Sequence, residues 1–391
     1  MSDLVLAKGK LVFPHSIIKG DILISGTKIT RVAPRISASA AVALTVEGFY
    51  ISPGFIDLHV HGGAGFDFLD ASHDGNKKIL DFASSHGTTY LLPTIATAPL
   101  EGMIKAAKTI LELCDARVGG IYFEGPFLSP QRKGAQPDHY FLPPSLKLYK
   151  ELRAATGGKM KILALAPELS GAKELIAEAL KDGVIVALAH SDASYEEVSE
   201  AIELGVRHFT HLCNGMRVFH HRDPGALVAA LLSPNVTAEI IADGIHVHPA
   251  VVKFVIKVKG SETVCLVTDA IRAAGLGDGS YKFSDYTVIV RQGIARLADA
   301  DSLAGSTLTM DQAIRNLVEW GVALTDAVRM ASQVPARVLG IDHAKGSLSP
   351  EKDADIVVLD RDFNVRAVFA QGKVVYNDLD ERLERKEKTC A

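Results

Sequence analysis

From residue 53 onward, the chain alternates short apolar runs with amphipathic stretches, and no other feature of the sequence limits its fold as strongly. The apolar runs are nearly continuous in Val, Ile, Leu and Ala, which is typical of parallel strands covered by helices. The predicted strands are Phe55–His61, Thr88–Thr94, Gly120–Glu124, Lys161–Pro167, Val184–His190, His208–His211, Val236–Asp243 and Thr263–Asp269. The predicted helices lie near residues 73–86, 98–114, 145–155, 171–182, 194–204, 224–232 and 248–258. This order of elements indicates an α/β fold.

Eight strands in regular alternation with helices predict a (β/α)8 barrel of the TIM type rather than an open, doubly wound sheet. A G-x-G-x-x-G sequence does not follow the first strand, which weakens a dinucleotide-binding alternative. The 391 residues are enough for one such barrel and a smaller companion domain. We therefore expect a barrel domain over residues 53–345.

The two ends of the chain carry a different pattern, made of short strands and turns. Within residues 1–52, the predicted strands are Leu4–Leu6, Lys10–Phe13, Asp21–Ser25, Lys28–Val32 and Leu44–Glu47. Residues 346–391 contain the predicted strands Ala354–Leu359, Val365–Ala370 and Lys373–Tyr376, followed by a charged, solvated tail. Because the ends of a chain often lie close together, we expect both segments to form one small β-sandwich domain.

The segment between the eighth barrel strand and the final strands is predicted to hold a hairpin and two helices. Residues 280–298 alternate as in a hairpin that turns at Gln292–Gly293. Helical patterns follow at 309–320 and 325–339.

Composition limits the partners of the protein. A formal net charge of -4 gives no general attraction to nucleic acid or to a membrane surface, so an anionic ligand needs a local cluster of donors. The cysteines, Cys114, Cys213, Cys265 and Cys390, are far apart and form no C-x-x-C pair, which argues against a disulfide framework and a zinc ribbon. The sequence also shows no signal peptide and no apolar stretch that could span a bilayer. We expect a cytoplasmic protein with reduced thiols.

Histidines and acids mark the ends of the predicted barrel strands. His59 and His61 project to the same side of the first strand, because side chains alternate along a strand. Taken alone, a His-x-His pair is weak evidence, since loop histidines are common. The ends of later strands, however, carry further metal-competent residues: Glu124, His190, His211, His246 and Asp269. The carboxyl ends of barrel strands all open onto one face, so this spacing predicts a metal site there.

The residue types indicate which metal and which chemistry to expect. Imidazole and carboxylate ligands suit Zn²⁺ or Fe²⁺, and the lack of thiolates argues against a purely structural site. Such a metal lowers the pKa of bound water from about 15.7 toward about 7. Hydrolysis of an amide then needs a base and an acid, and Asp269 can serve as both in turn.

Long stretches of the sequence resemble the amidohydrolase superfamily and, within it, the N-acetylglucosamine-6-phosphate deacetylases. The matching stretches are PGFIDLHVHGGAGFDF, GTTYLLPT, FEGPFLSPQRKGAQ, LAPE, AHSDA, THLCNGM, DGIHVHP, VTDAI, LAGSTLTMDQAIRNLVEWG and GSLSPEKDADIVVLD. The resemblance implies hydrolysis of the acetamide of a phosphorylated amino sugar. It implies that Glu124, His190 and His211 hold the main metal, with Glu124 in the place of the carboxylated lysine of many relatives. His59 and His61 would then help to bind a second metal, and Asp269 would be the general base and then the acid.

The resemblance also implies a set of substrate contacts. The phosphate-binding residues of the family match Asn214, Gly215, His246 and Arg222. In the family, this arginine reaches into the neighbouring subunit, which implies a homodimer. Leu303 and Ala304 match a segment that borders the sugar.

One position departs from the family pattern. Many relatives have a histidine after KGA that polarises the acetyl carbonyl, whereas this chain has Gln136. Glutamine can donate a hydrogen bond but cannot carry a positive charge. Our hypothesis is that a second cation at His59 and His61 supplies part of that polarisation.

Three alternatives stay open. Cyclic-amide hydrolases such as dihydroorotases and allantoinases, and isoaspartyl dipeptidases, share the His-x-His pair, but most of them need a lysine at the end of the fourth strand, where this chain reads LALAPE. N-acetylgalactosamine 6-phosphate is a closer alternative substrate, because it would need nearly the same site. A non-catalytic scaffold with the same fold is the third, although such proteins typically lose metal ligands. A pure sugar-binding module is disfavoured, because binding alone needs no base beside a metal.

Overall fold

The structure is a computed structural model that describes residues 3–37 and 42–379. The chain divides into two compact units, each with its own packing. One comprises residues up to Ile56, Leu80–Tyr90 and the residues from Met310 onward, and the other comprises Asp57–Ile79 and Leu91–Thr309. The predicted charged tail lies outside the described residues, and the predicted domain limits at residues 53 and 345 stay a prediction.

Within the described residues, eight parallel strands form the predicted barrel, and neighbours in sequence are neighbours in the sheet. The strands are Phe55–Val60, Thr88–Ala96, Ile121–Glu124, Met160–Leu165, Ile185–Leu188, His208–Phe209, Thr237–Ile241 and Val264–Val267. A bridge between Val60 and Ala270 brings the first strand beside the eighth and nearly closes the ring. The Asp57 carboxylate supports this closure by accepting a hydrogen bond from the Thr268 hydroxyl at 2.6 Å.

Helices follow the barrel strands as predicted. Their bounds are His73–Ser85, Leu100–Glu112, Leu146–Ala155, Ala172–Lys181, Tyr195–Leu204, Gly225–Leu232 and Pro249–Lys259. Short 3-10 turns occur at Phe68–Asp70, Pro130–Arg132 and Asp138–Tyr140. Local sequence fixes where helices begin: Ser194 and Glu197 form a reciprocal capping box at the start of Tyr195–Leu204. In Leu100–Glu112, the buried residues are spaced three or four apart, which gives the helix one apolar face.

Antiparallel strands follow the eighth barrel strand. They are Gly279–Phe283, Tyr286–Arg291 and Ile294–Leu297, joined in that order. The hairpin predicted at Gln292–Gly293 is confirmed, and both turn residues have positive φ, 52° and 75°. The prediction over 280–298 had two strands, whereas the structure has Gly279–Phe283 as a third. We call these three strands the meander; a short two-stranded ribbon, Gly62–Gly63 with Phe66–Asp67, lies earlier in the same unit.

The first unit is built around a mixed sheet to which both chain ends contribute. Its strands are Leu4–Phe13, Ser16–Ser25, Lys28–Ala33, Val42–Thr45, Tyr50–Pro53, Ile356–Leu359, Val365–Ala370 and Lys373–Asn377. Antiparallel pairing of Tyr50–Pro53 with Ile356–Leu359 joins the two ends and confirms the predicted shared β module. The first strand is continuous where two were predicted, because an irregularity between Leu6 and Gly9 carries it past Lys8 at φ 65°.

Helices at Met310–Glu319, Leu324–Ala331 and Gln333–Val338 belong to the same unit. The prediction of one helix over 325–339 is therefore wrong. The chain leaves helical geometry at Ser332, with φ -138° and ψ -68°. Pro335 explains the break, because a proline has no N–H to donate and its ring would collide with the carbonyl four residues earlier.

Among the described residues, the helices are all too short or too polar to cross a membrane.

Candidate metal centre and active site

Six side chains meet at the carboxyl end of the barrel. They are His59, His61, Glu124, His190, His211 and Asp269, all of them buried. Five of the six line a cavity of about 370 Å³, and His59 is not among the lining residues. The structure therefore brings together every residue that the sequence assigned to metal binding and proton transfer.

Glu124, His190 and His211 form one potential ligand group. The Glu124 Oε1 atom lies 3.1 Å from His190 Nε2 and 2.9 Å from His211 Nε2. The three potential ligand atoms all lie within 4.8 Å of one another.

His59, His61 and Asp269 form a second group with the same compactness. The two imidazoles approach at 3.1 Å between their Nε2 atoms, and His61 Nε2 lies 3.2 Å from Asp269 Oδ1. The groups share an edge, because His61 Nε2 is also 3.3 Å from Glu124 Oε2.

The backbone after three strands turns sharply to aim these side chains. His190, His211 and Asp269 each follow the last residue of a strand by two positions. Their φ angles are 43°, 29° and 49°, in a region that residues other than glycine seldom occupy. Strained backbone of this kind is concentrated at functional sites, where the surrounding structure holds it in place.

Each imidazole uses Nδ1 as an anchor and turns Nε2 toward the cluster. The Nδ1 atoms of His61, His190 and His211 face the carbonyl oxygens of Thr94, Arg132 and Asn214 at 3.2, 2.8 and 3.1 Å. A carbonyl only accepts, so these Nδ1 atoms carry a proton, and each ring in its neutral form keeps a lone pair on Nε2. The Nδ1 atom of His59 is anchored in the same way on the Glu239 carboxylate, at 2.9 Å. Orientation of this kind is a regular feature of histidine metal ligands.

Electrostatics also favour a cation at this point. Burial raises the pKa of Glu124, but hydrogen bonds from His190 and His211, when their Nε2 atoms also carry a proton, outweigh it and hold the pKa well below its usual range. Burial lowers the pKa of His61, but Asp269 and Glu124 outweigh it and hold the pKa well above the ordinary value. Nitrogen lone pairs and carboxylate oxygens that converge in this way fit a divalent cation of the Zn²⁺ or Fe²⁺ type.

The residues predicted to contact substrate are placed less uniformly. Four of them, Asn214, Gly215, His246 and Leu303, line the cavity. Ala304 is fully buried and packs beneath the wall with Ile271, Phe283 and other apolar residues. Arg222 is exposed, contacts the neighbouring His221 through Nη1 at 2.8 Å, and is not among the residues that line the cavity of its own chain.

Gln136 lines the cavity but is already engaged by protein atoms. Its Nε2 donates to Glu124 Oε2 at 2.5 Å, and its Oε1 accepts from the Thr97 amide at 2.9 Å. One amide hydrogen is therefore committed to holding Glu124. The second hydrogen on the same nitrogen stays available for another acceptor.

Comparison with known proteins identifies the family. A sequence profile of the amidohydrolase family matches residues 50–375. The chain belongs to the amidohydrolase family.

This amidohydrolase is similar to enzymes that act on phosphorylated amino sugars. It is 37% identical over 360 residues to an N-acetylglucosamine-6-phosphate deacetylase of Lysinibacillus sphaericus, covering 90% of this chain and 92% of that protein. It is 39% identical over 330 residues to an N-acetylgalactosamine-6-phosphate deacetylase of Escherichia coli O157:H7, covering 83% and 87%. A solved structure of the N-acetyl-D-glucosamine-6-phosphate deacetylase of Mycobacterium smegmatis, an aspartate-to-alanine mutant in complex with N-acetyl-D-glucosamine-6-phosphate, superposes with a TM-score of 0.92 at 32% identity, covering 96% and 100%.

Sequence reasoning missed part of the cavity wall of the amidohydrolase. The meander and the segment that follows it contribute Phe283, Arg296, Asp301 and Ser302. Phe283 meets the ring of His61 edge-on, with ring centroids 5.6 Å apart. The alternation of residues 280–298 predicted strands but gave no indication of what they cover.

Glycines on two sides hold the His190 ring of the amidohydrolase. A Cβ atom at Gly215 would lie 2.8 Å from His190 Nδ1, and one at Gly134 would lie 3.1 Å from His190 Cε1. Both glycines have positive φ, 60° and 58°. Gly215 was predicted as a phosphate contact, and the structure gives it this additional steric role.

Proposed function

We propose that this amidohydrolase hydrolyses the acetamide of N-acetylglucosamine 6-phosphate and releases glucosamine 6-phosphate and acetate. The proposal rests on the position of Asp269 in the cavity wall. Its carboxylate lies next to the imidazoles of His59 and His61, and the group of Glu124, His190 and His211 lines the same cavity. This arrangement supports metal-dependent amide hydrolysis, and the named substrates of the similar enzymes support the choice of sugar.

We assign one divalent cation, Zn²⁺ or Fe²⁺, to Glu124, His190 and His211. A second cation would be held by His59, His61 and Asp269, because these residues form an equally compact donor group. A cation at this place would act as a Lewis acid and would lower the pKa of a water molecule toward neutrality.

Asp269 is the proposed proton carrier. Burial raises its pKa, but His59 and His61 outweigh this effect and lower the pKa overall, so the carboxylate is ionised and can accept a proton. It takes a proton from the attacking water and then delivers it to the leaving amine nitrogen, so that the amine departs neutral. Gln136 holds Glu124 with one amide hydrogen and can offer the other to an oxygen of the substrate.

We assign the phosphate end of the substrate to another part of the cavity wall. Asn214, Gly215 and His246 offer amide and imidazole donors there. The His246 ring is oriented by Asp243, whose Oδ2 lies 2.6 Å from His246 Nδ1. We propose that Arg222 completes this site from a second copy of the chain, so that the enzyme acts as a homodimer. A phosphorylated sugar substrate also favours a cytoplasmic location, because sugar phosphates are retained there.

N-acetylgalactosamine 6-phosphate is the second candidate substrate. The 39% identity to a deacetylase named for that sugar favours it. The two sugars are epimers that differ only in the configuration of one hydroxyl group.

The experiment that tests the proposal is an assay of amine release with purified protein. N-acetylglucosamine 6-phosphate, its galacto epimer and unphosphorylated N-acetylglucosamine are compared under the same conditions. We expect the highest kcat/KM for N-acetylglucosamine 6-phosphate and a large loss when the phosphate is removed. Higher kcat/KM for the galacto epimer would transfer the proposal to the second candidate. No amine release from either phosphorylated sugar by zinc-loaded or iron-loaded protein would refute it.

A further inference from the structure

Glu239 is a fully buried carboxylate that the proposed reaction does not use. It lies in the seventh barrel strand, Thr237–Ile241, where its neighbours in the sequence TAEII are a threonine and apolar residues. An ionised side chain in such a place is costly unless every acceptor site is paired. Its partners are therefore informative.

The partners of Glu239 belong to both potential ligand groups. Its Oε2 atom lies 2.9 Å from His59 Nδ1, in one group, and 3.0 Å from the backbone nitrogen of His211, in the other. The backbone amide can only donate, so this oxygen accepts. A single carboxylate oxygen thus contacts the imidazole of one ligand and the main chain of another.

The second oxygen holds Glu239 itself in place. Its Oε1 atom lies 3.0 Å from His208 Nε2, and His208 Nδ1 is 2.7 Å from the Thr237 hydroxyl. His208 is fully buried and is not among the residues that line the cavity. Hydrogen bonds thus link Thr237 to His208, His208 to Glu239, and Glu239 to the two potential ligand groups.

We propose that Glu239 is a positioning residue that couples the two metal groups. It fixes the tautomer and angle of the His59 ring directly, and it fixes the strained turn of His211 through the main chain. This inference rests on the proposed metal-dependent function, and it adds that occupancy of the His59–His61–Asp269 group depends on a residue that touches neither metal nor substrate.

The chemistry of glutamine makes the proposal selective. In Glu239→Gln, the amide oxygen can still accept from His59 and from the His211 amide, and the amide nitrogen can donate to His208 if that ring changes tautomer. Packing and hydrogen bonds survive, but the negative charge that strengthens the His59 ligand is lost. In Glu239→Ala, both the His59 ring and the His211 turn lose their support.

The test is zinc binding by the full-length protein. Wild type, Glu239→Gln and Glu239→Ala are loaded with Zn²⁺, and zinc release is followed against rising chelator concentration. Asp21→Asn is the matched control, because Asp21 is also a buried carboxylate that accepts backbone N–H groups, from Lys8 and Ile36, but in the sheet unit. Thermal unfolding of each zinc-free variant reports on the fold separately.

We expect two zinc ions in the wild type and in Asp21→Asn. In Glu239→Gln, the zinc assigned to the His59–His61–Asp269 group should lose about 10- to 100-fold in affinity, since loss of an outer partner has effects of this size. The other zinc should be nearly unchanged. In Glu239→Ala, both should be weakened.

Other outcomes separate this inference from the proposed function. Two zinc ions held equally tightly by wild type and Glu239→Gln would overturn the inference alone, even if the zinc-free variant were less stable. A single zinc in the wild type would also overturn it and leave the proposed hydrolysis intact. Failure of the wild type to bind zinc or iron at all would overturn both.

Discussion

At the scale of single residues, the chemistry of this protein depends on how each imidazole is held. One ring nitrogen of His61, His190 and His211 is fixed on a backbone carbonyl, and the other is presented to a common point. The acids are brought to the same point by the ends of strands three and eight. Rings that cannot rotate present their lone pairs without further loss of entropy when a cation binds.

Asp269→Asn tests the proton carrier. Asparagine keeps the shape of the side chain but cannot carry a proton between water and the leaving amine. We expect kcat to fall by about 10²–10⁴, with a much smaller change in KM. The measurement is steady-state amine release together with zinc content, with Asp182→Asn, outside the cavity, as the control. Turnover near that of the wild type would remove Asp269 from the mechanism.

Gly215→Ala tests the fit around His190. The added Cβ would meet the His190 ring at 2.8 Å, so the ring must move and zinc occupancy and kcat should both drop. Gly158→Ala is a matched control, because Gly158 also has positive φ, 81°, but a Cβ there meets nothing within 4 Å. Both variants should lose roughly 1–2 kcal/mol of stability from the left-handed backbone. Equal zinc content in the two variants would contradict the steric role.

The six residues that meet at the end of the barrel could be predicted from the sequence, because each lies at or just past the end of a strand whose apolar pattern is clear. It did not predict Glu239, because one acid in an apolar strand does not say which partners it meets across the barrel. The left-handed backbone at His190, His211 and Asp269 could not be predicted either, since neither histidine nor aspartate requires it.

At the scale of elements, the barrel strands position the chemistry and the meander completes the cavity wall. Its apolar face, including Phe283, Val288 and Val290, packs with Ile271 and Ala304 behind the cavity. The predicted hairpin at Gln292–Gly293 followed from its turn residues. The pattern over residues 280–298 was interpreted as a two-stranded hairpin, so Gly279–Phe283 was not recognised as a third strand.

Lys345→Met tests how much the ion pairs of Lys345 with Asp353 and Asp355 stabilise the sheet unit. Lys345 Nζ lies 2.6 Å from Asp355 Oδ2 and 2.8 Å from Asp353 Oδ2, and its side chain is only 7% exposed. Removing the cation leaves the buried Asp355 carboxylate without its ion-pair partner, whereas the half-buried Asp353 keeps Lys28 at 2.8 Å. The loss should destabilise the protein by about 3–5 kcal/mol. Lys8→Met, which breaks the exposed pair with Glu47, should lose no more than about 1 kcal/mol.

The pH dependence of this effect has a definite sign. Burial raises the pKa of Asp353, but Lys28 and Lys345 outweigh it and lower the pKa. For Asp353, the stability from this pairing is therefore present above the ordinary aspartate pKa and is lost as the pH falls through its lowered pKa. At Asp355, burial outweighs Lys345 and raises the pKa, so this carboxylate takes up a proton at a higher pH than an ordinary aspartate. In Lys345→Met, protonation of the carboxylates relieves the unpaired charge. Denaturant unfolding at about pH 7 and about pH 5 should show a smaller difference from the wild type at the lower pH, and an equal or larger one would contradict this account.

At the scale of the whole molecule, the main prediction from sequence was the order of strands. Near-continuous apolar strands in alternation with helices fit few folds, so the barrel followed from the pattern, and the shared sheet of the two chain ends followed from the strands left over. The partition of helices after the barrel did not follow, because Pro335 stands inside an otherwise periodic pattern and only the structure shows the break at Ser332.

Arg222→Ala tests the proposed assembly. Arg222 does not line the cavity of its own chain, and we propose that it contacts the phosphate group in the cavity of the second copy. We therefore expect its loss to raise KM for the phosphorylated substrate with little change in kcat. Mixing Arg222→Ala with Asp269→Asn subunits should restore part of the low-KM activity, since each mixed dimer then contains one site with both residues. Mixtures no more active than the separate variants would contradict an arginine shared between subunits.

Anomalous diffraction from crystals grown with excess zinc would show whether the carboxyl end of the barrel binds a metal. We expect a strong anomalous peak about 2.0–2.2 Å from the Nε2 atoms of His190 and His211 and from an oxygen of Glu124. A second peak should lie between His59, His61 and Asp269. Density free of zinc at the first position, with the three side chains bonded only to protein and water, would mean that Glu124, His190 and His211 do not form a metal site.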